Sequence, residues 1–165
     1  MNFFQLYKLD NFINLYMSIK HLQLKIITPE RLILEEMVEG VSIPTTEGEI
    51  TVLPDHIPLI AGLASGDVVG HVGGEDIPMA VVGGFVEVNK NADGTTTVAI
   101  LADFAEHVSA ISDEEIEKAK AKAEELKKQV QNKEIVDFEH FATELERSLT
   151  RVKIADKWKI KKYRK

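Results

Sequence analysis

The 165-residue chain contains no cysteine. That excludes a disulfide framework, a thiolate zinc site, an iron–sulfur cluster and a cysteine nucleophile. It is compatible with a reducing compartment. Positive charge is in deficit: 20 Lys and Arg stand against 27 Asp and Glu, a formal net charge of −7. A general nucleic-acid binder usually carries a basic face and a high pI, so that class is disfavoured. No glycine-rich phosphate loop of the Walker or GxGxxG kind is present. No serine sits in a GxSxG elbow. The histidines His21, His56, His71, His107 and His140 include no pair at i and i+4, so a zinc-protease signature is missing. The adjacent acids Glu35-Glu36, Glu114-Glu115 and Glu124-Glu125 read as solvated faces, the usual setting of glutamate. A cofactor site is not expected, nor is enzymatic activity of the chain by itself.

The composition that is present, 44% hydrophobic and 28% charged, is that of a globular protein. Charge is unevenly spread. Residues 151–165 hold eight basic residues and one acid, Asp156, whereas residues 1–150 are strongly acidic. A basic tail on an acidic body suggests an acidic partner. Lysines at a helix C-terminus, favourable to the helix dipole, are the simpler reading.

Residues 1–19 form an extension apart from the rest. Residues 1–16, MNFFQLYKLDNFINLY, lack the charged start and small-residue cleavage site of a secretory signal. They are too short and too polar for a membrane span. They read as an amphipathic surface patch, a packed helix, or a segment upstream of a true start at Met17; the last is favoured, because Met17 opens directly into a strand.

From Leu22 to about Ala102 the pattern is one of short strands. Leu22, Leu24 and Ile26 alternate with polar residues up to Thr28-Pro29. Val41 and Ile43 alternate before Pro44, and Ile50 and Val52 before Pro54. Val68–Val72 and Ile77–Val82 are apolar runs joined by Gly73-Gly74, a hairpin turn. Phe85–Val88 and Thr96–Leu101 are joined by Asn91-Ala92-Asp93-Gly94. Gly83-Gly84 between strand runs indicates a bulge or a close backbone approach. No helix separates these runs, so a parallel α/β fold is excluded. The expected fold is β plus α, with an N-terminal antiparallel sandwich or barrel of about eight to ten strands over residues 20–108.

Residues 109–165 are expected to form a C-terminal antiparallel helical hairpin. Ser112 and Glu115 match a capping box. The stretch after them is rich in Ala, Glu and Lys, with acids leading and lysines trailing. Its apolar stripe is Ile116, Ala119, Ala123, Leu126 and Val130. Gln131–Val136 is a short connection, and Asp137 caps a second helix to about residue 160. The second stripe reads Phe138, Phe141, Leu145, Leu149, Val152 and then Ile154 or Ala155. Both stripes are thin and one is Ala-rich, so little area is buried at about 25 cal/mol per Å². The hairpin is expected to be weakly held and able to detach.

The ordered segments Leu24–Glu30, Thr46–Ile50, Leu53–Leu59, Val82–Val88 and Val98–Asp103 resemble those of the epsilon subunit family of F-type ATP synthases (delta in mitochondrial nomenclature). The order of parts, sandwich then hairpin, resembles that family too, over roughly residues 20–155. The resemblance implies a non-catalytic rotor subunit. Its sandwich ties the gamma subunit to the c-ring for proton-driven ATP synthesis. Its hairpin either lies on the sandwich or extends into the catalytic alpha/beta hexamer and inhibits ATP hydrolysis. Glu49 and His56 fall where the family places ring-facing residues; a loop histidine bonded to nearby backbone is the simpler reading of His56. Thr51 and Asp55 stand where glycine is common, and Ile57 where alanine is common. Arg147, Arg151, Lys153 and Lys157 are the cations expected to meet acidic loops of the catalytic subunits. Lys118 and Glu115 replace the arginine and aspartate through which some members bind ATP, so weak or absent ATP binding is expected. The implied location is peripheral, on the cytoplasmic face of a bacterial plasma (inner) membrane, held there through the complex. The alternative is a stand-alone β-sandwich binding module with a helical tether; the scarcity of aromatics between Leu22 and Ala102 counts against it.

Overall fold

The computed structural model describes residues 20–131 and 138–163. The N-terminal extension with Met17, the connection at 132–136 and the expected cap Asp137 lie outside the described residues, as do the side chains of Val130 and Phe138.

Ten strands precede two helices. They are β1 Leu22–Ile27, β2 Leu32–Val38, β3 Gly40–Thr45, β4 Gly48–Val52, β5 Leu59–Gly62, β6 Gly66–Val72, β7 Glu75–Val82, β8 Phe85–Lys90, β9 Thr96–Leu101 and β10 Phe104–His107. They form two five-stranded sheets, β2-β1-β9-β8-β5 and β10-β7-β6-β3-β4. Alternation builds the sandwich. Leu22, Leu24 and Ile26 point inward with Val86, Val88, Val98 and Ile100, against Val41, Ile43, Val52, Val68, Met79 and Val81 of the other sheet, and all are fully buried.

The sheets are antiparallel with one exception. β1 pairs β9 in parallel, Leu22 opposite Thr96 through Ile27 opposite Leu101. An all-antiparallel sandwich was the expectation. Parallel pairing needs a long crossover, and here every strand from β2 to β8 lies between the partners, which closes the sheet on its own N-terminus. Strands β2, β5 and β10 carry no sequence signal of their own. β2 reads LILEEMV with two adjacent acids, and β5 and β10 are four residues each. β3 continues through Pro44, whose position lies beyond the end of the β6 pairing at Ser42, so its missing N–H leaves no bond to β6 unmade.

Gly73 and Gly74 both have positive φ, 57° and 79°, as a two-residue hairpin turn requires. Gly84, at φ 104°, is the close approach that the paired glycines indicate: a Cβ there would lie 2.0 Å from the Leu101 carbonyl oxygen.

Helix α1 spans Asp113–Gln131 and α2 spans Phe138–Tyr163. The capping box forms as expected: Glu115 N–H donates to Ser112 Oγ at 3.2 Å, and Ser112 N–H donates to Glu115 at 2.8 Å. Ile116, Ala119 and Ala123 are buried. The stripe of α2 is rotated from the expected one. Phe141, Ser148, Ile154 and Ala155 are buried, while Leu149 is 43% exposed. The reason is that α2 faces two partners, α1 and the outer surface of the β7-containing sheet, so its buried face follows the sheet's chemistry rather than hydrophobicity alone. A second apolar cluster of Ala80, Ile111, Ile116, Ile154 and Ala155 joins hairpin to sandwich. Among the described residues it has five buried members, against seventeen in the sandwich core.

Candidate functional site

Two regions carry the residues singled out by sequence. The first is the β4 edge and the loop after it. Glu49 is exposed near the start of β4, opposite Pro44 of β3. Its carboxylate has no hydrogen-bond or ion partner among the described residues. His56 lies in the loop beyond the other end of that strand. Its Nδ1 donates to the Ile57 carbonyl at 2.7 Å and its backbone N–H to the Leu53 carbonyl at 3.1 Å. The backbone-bonded loop histidine is thus the observed state, with Nε2 left for other contacts. The structure does not join Glu49 and His56 directly: Glu49 and Val52 alone are about 10 Å apart at strand rise. Beside His56, Leu53 and Ile57 expose apolar side chains, Ile57 to 75%.

Asp55 fixes the shape of this loop. Its φ is 67°, in the left-handed region that Asp tolerates better than most residues. Its N–H donates to Thr96 Oγ1 at 2.8 Å, and Thr96 is buried. Its carboxylate accepts from Lys20 and, at 2.9 Å, from Lys90. The Lys20 hydrogen bond, followed by that of Lys90, lowers the Asp55 pKa to about 2. Sequence reasoning noted Asp55 as a departure but not as an anchor.

The second region is the contact between α2 and the sandwich. Arg151 Nε donates to Glu106 of β10 at 2.7 Å. The guanidinium carbons of Arg147 and Arg151 lie 5.6 and 5.2 Å from the centre of the Phe104 ring, within cation–π range. Lys157 donates to both carboxylate oxygens of Asp67 on β6, at 2.9 and 2.7 Å, and Trp158 Nε1 donates to the same group at 2.9 Å. Lys153 is exposed, with no ion pair among the described residues. Three of the four cations expected to meet a foreign acidic surface are therefore held by this chain's own sandwich. Phe104, Glu106, Asp67 and Trp158 were missed as partners. Asp67 did leave a signal: it is an acid beside a strongly apolar run, where charge is rare unless paired.

Between the helices, Lys118, Lys122, Arg147 and Arg151 border a cleft with Glu115 and Glu144. Its cations are mostly engaged. Lys118 pairs with Glu114 at 2.8 Å, Lys122 with Glu144 across the hairpin, and Arg151 with Glu106. Arg147 Nε is buried without a hydrogen-bond partner. The hydrogen bond from Lys122 lowers the Glu144 pKa, and the Ser112 amide lowers that of Glu115, so both carboxylates stay charged beside the cleft. Among the described residues no cluster of three or more His, Asp or Glu is placed to hold a metal. No described helix is long and apolar enough to cross a membrane.

Residues 21–108 match the family described as ATP synthase, Delta/Epsilon chain, beta-sandwich domain. The chain is 38% identical over 135 residues to an ATP synthase epsilon chain of Nitratidesulfovibrio vulgaris, an alignment covering 82% of this chain and 96% of that one. It is 37% identical over 134 residues to the epsilon chain of Herpetosiphon aurantiacus, covering 81% and 93%. A chain in the cryo-EM structure of the Euglena gracilis mitochondrial ATP synthase (OSCP/F1/c-ring) superposes with a TM-score of 0.58 at 25% identity, over 85% of this chain and 80% of that chain.

The Asp55 clamp has a pH signature. A carboxylate whose folded pKa is lowered stabilises the fold above its unfolded pKa and loses that contribution as pH falls through the folded one. The loop 53–58 should therefore loosen between about pH 4 and pH 2. An NMR titration of the Asp55 amide and side chain should show a midpoint near 2, moving upward in Lys90→Ala and reaching the ordinary carboxylate range only when Lys20 is replaced by Ala as well. An ordinary midpoint in the native chain contradicts the clamp.

Proposed function

The chain belongs to the ATP synthase delta/epsilon family, and from that premise we infer its place in the complex. It is a non-catalytic subunit of the central stalk, part of the rotor, linking the gamma shaft to the membrane c-ring in proton-driven ATP synthesis. Its partners are gamma, the c-ring and the catalytic alpha/beta hexamer. The observation that carries this is the reach of the likeness: the family match covers the sandwich, and the alignment to a relative extends beyond that length, to 82% of this chain and 96% of the relative. The membrane association is peripheral, through the complex, on the cytoplasmic face of a bacterial plasma membrane. The bacterial epsilon chains it aligns with support that side.

Within this role Glu49 and His56 are ring-facing residues. Glu49 supports the reading by its exposure and its lack of a partner among the described residues, and His56 by an Nε2 that no described residue engages. A charged group with no internal partner on a rigid element is suited to an external one. In assembled complexes, Glu49→Gln combined with His56→Ala should lower ATP-driven proton pumping while hydrolysis continues. Pumping equal to the native complex contradicts the assignment.

The hairpin supplies inhibition. Arg147, Arg151, Lys153 and Lys157 lie along α2, and a detached α2 presents them to acidic loops of the catalytic hexamer. Cutting the chain after Ile111 removes both helices and leaves the seventeen-residue sandwich core whole. The expected result is higher ATPase activity with assembly intact; unchanged hydrolysis removes the inhibitory role.

ATP itself is not a ligand of the hairpin. Lys118 offers a point charge instead of the two-pronged guanidinium that grips phosphate, and Glu115 and Glu144 oppose a polyphosphate in the cleft. Calorimetric titration with millimolar ATP should give no saturable heat. A saturable isotherm overturns this reading.

A further inference from the structure

The outer face of the β10-β7-β6 part of the sheet carries one unusual row. Asp67 of β6 is in register with Ala80 of β7, which is in register with Glu106 of β10. Acid, small residue and acid thus lie side by side across three strands. Ala80 is fully buried, and it belongs to the hairpin's cluster and not to the sandwich core. The two carboxylate side chains are 10% and 19% exposed, shielded by the groups that bind them.

The helix above matches this row in both spacing and chemistry. Two strand spacings separate Asp67 from Glu106, about 10 Å. Arg151 and Lys157 are six residues apart, about 9 Å of helical rise. Arg151 meets Glu106 at one end, and Lys157 with Trp158 meets Asp67 at the other. Ile154 and Ala155, both 2% exposed, fall between them in the same cluster as Ala80. The small side chain at the centre admits the helix, and the acids at the ends set its register.

We propose that the Asp67–Ala80–Glu106 row is a two-point latch that holds α2 on the sandwich by occupying the cations the helix presents when it leaves. Arg151 and Lys157 bound to Glu106 and Asp67 cannot pair with carboxylates of another subunit, so each cation is counted in one state only. The two sandwich carboxylates act as an internal stand-in for an acidic partner surface. A ligand shifts a two-state element only by its differential affinity for the states; an external acidic surface must therefore outbid Asp67 and Glu106. The latch rests on the reading of the hairpin as a detachable element. Its test is separate from the test of the rotor assignment.

The chain's single tryptophan is the reporter. Trp158 sits at the Asp67 end, so Glu106→Gln changes the latch at the opposite end without touching the indole's partner. Trp158 emission and acrylamide quenching are followed through a urea titration of the full chain, with strand circular dichroism recorded in parallel. Glu106→Gln should shift the docking equilibrium about fivefold toward the open state, the scale of a partly exposed ion pair. The Trp158 transition then moves to lower urea while the strand transition stays. Ala80→Leu, which overfills the seat from outside the sandwich core, should move it further. Glu124→Gln, the same charge change at an exposed site on α1, should not move it. A Trp158 transition unmoved by both Glu106→Gln and Ala80→Leu, or one that tracks the strand signal in every variant, overturns the latch. Because the isolated chain is used, that failure leaves the rotor assignment standing.

Discussion

Helix α2 rests on the sandwich over Ala80, the small residue between Asp67 and Glu106. Two thin apolar stripes, one of them Ala-rich, bury little against each other. What fixes them is the borrowed face of a sheet whose real core lies on its other side. The members of the sandwich core all come from the sandwich itself. Among the described residues, body and arm are joined by a small apolar cluster, ion pairs at Asp67 and Glu106, and cation–π contacts on Phe104. Such contacts are weak singly and exposed to competition.

That division suits a rotor subunit. The body must keep its shape under load, and its loops must be fixed. Asp55 shows how one of them is, with a left-handed backbone, a buried threonine acceptor and two lysines doing together what glycine does alone elsewhere. The arm is held by its cations, Arg151 on Glu106 and Lys157 on Asp67. Arg151 and Lys157 read as a solvated helix end or as a partner-binding surface from sequence; in the folded chain they first bind the sandwich itself.

The sandwich was legible because its signal is local. Alternation at Leu22, Leu24 and Ile26, the Gly73-Gly74 turn and the Ser112–Glu115 cap each declare themselves within a few residues. What was hidden is non-local. The parallel pairing of β1 with β9 joins residues more than seventy positions apart, and nothing in either strand encodes orientation. β2, β5 and β10 are short or acidic edge and near-edge pieces whose pairing is decided by neighbours. The phase of α2 was misread at Leu149 because α2 packs against both α1 and the sheet: Ser148 is buried beside the inter-helix cleft and Arg151 is half-buried on Glu106, where hydrophobicity alone favours leucine. Glu49 and His56 were singled out only as family positions, because neither strand alternation nor turn chemistry marks an exposed edge acid or a loop histidine as a contact.

The central claim is that this chain works as a single-copy stalk subunit of a rotary ATP synthase. The direct measurement is to tag the chain, solubilise its native membranes in mild detergent, purify it, and quantify the co-purifying polypeptides. The account predicts one copy per catalytic hexamer, together with gamma and the c-ring subunit. Recovery of the chain alone, or with an unrelated receptor, would contradict it and leave a sandwich that binds something else.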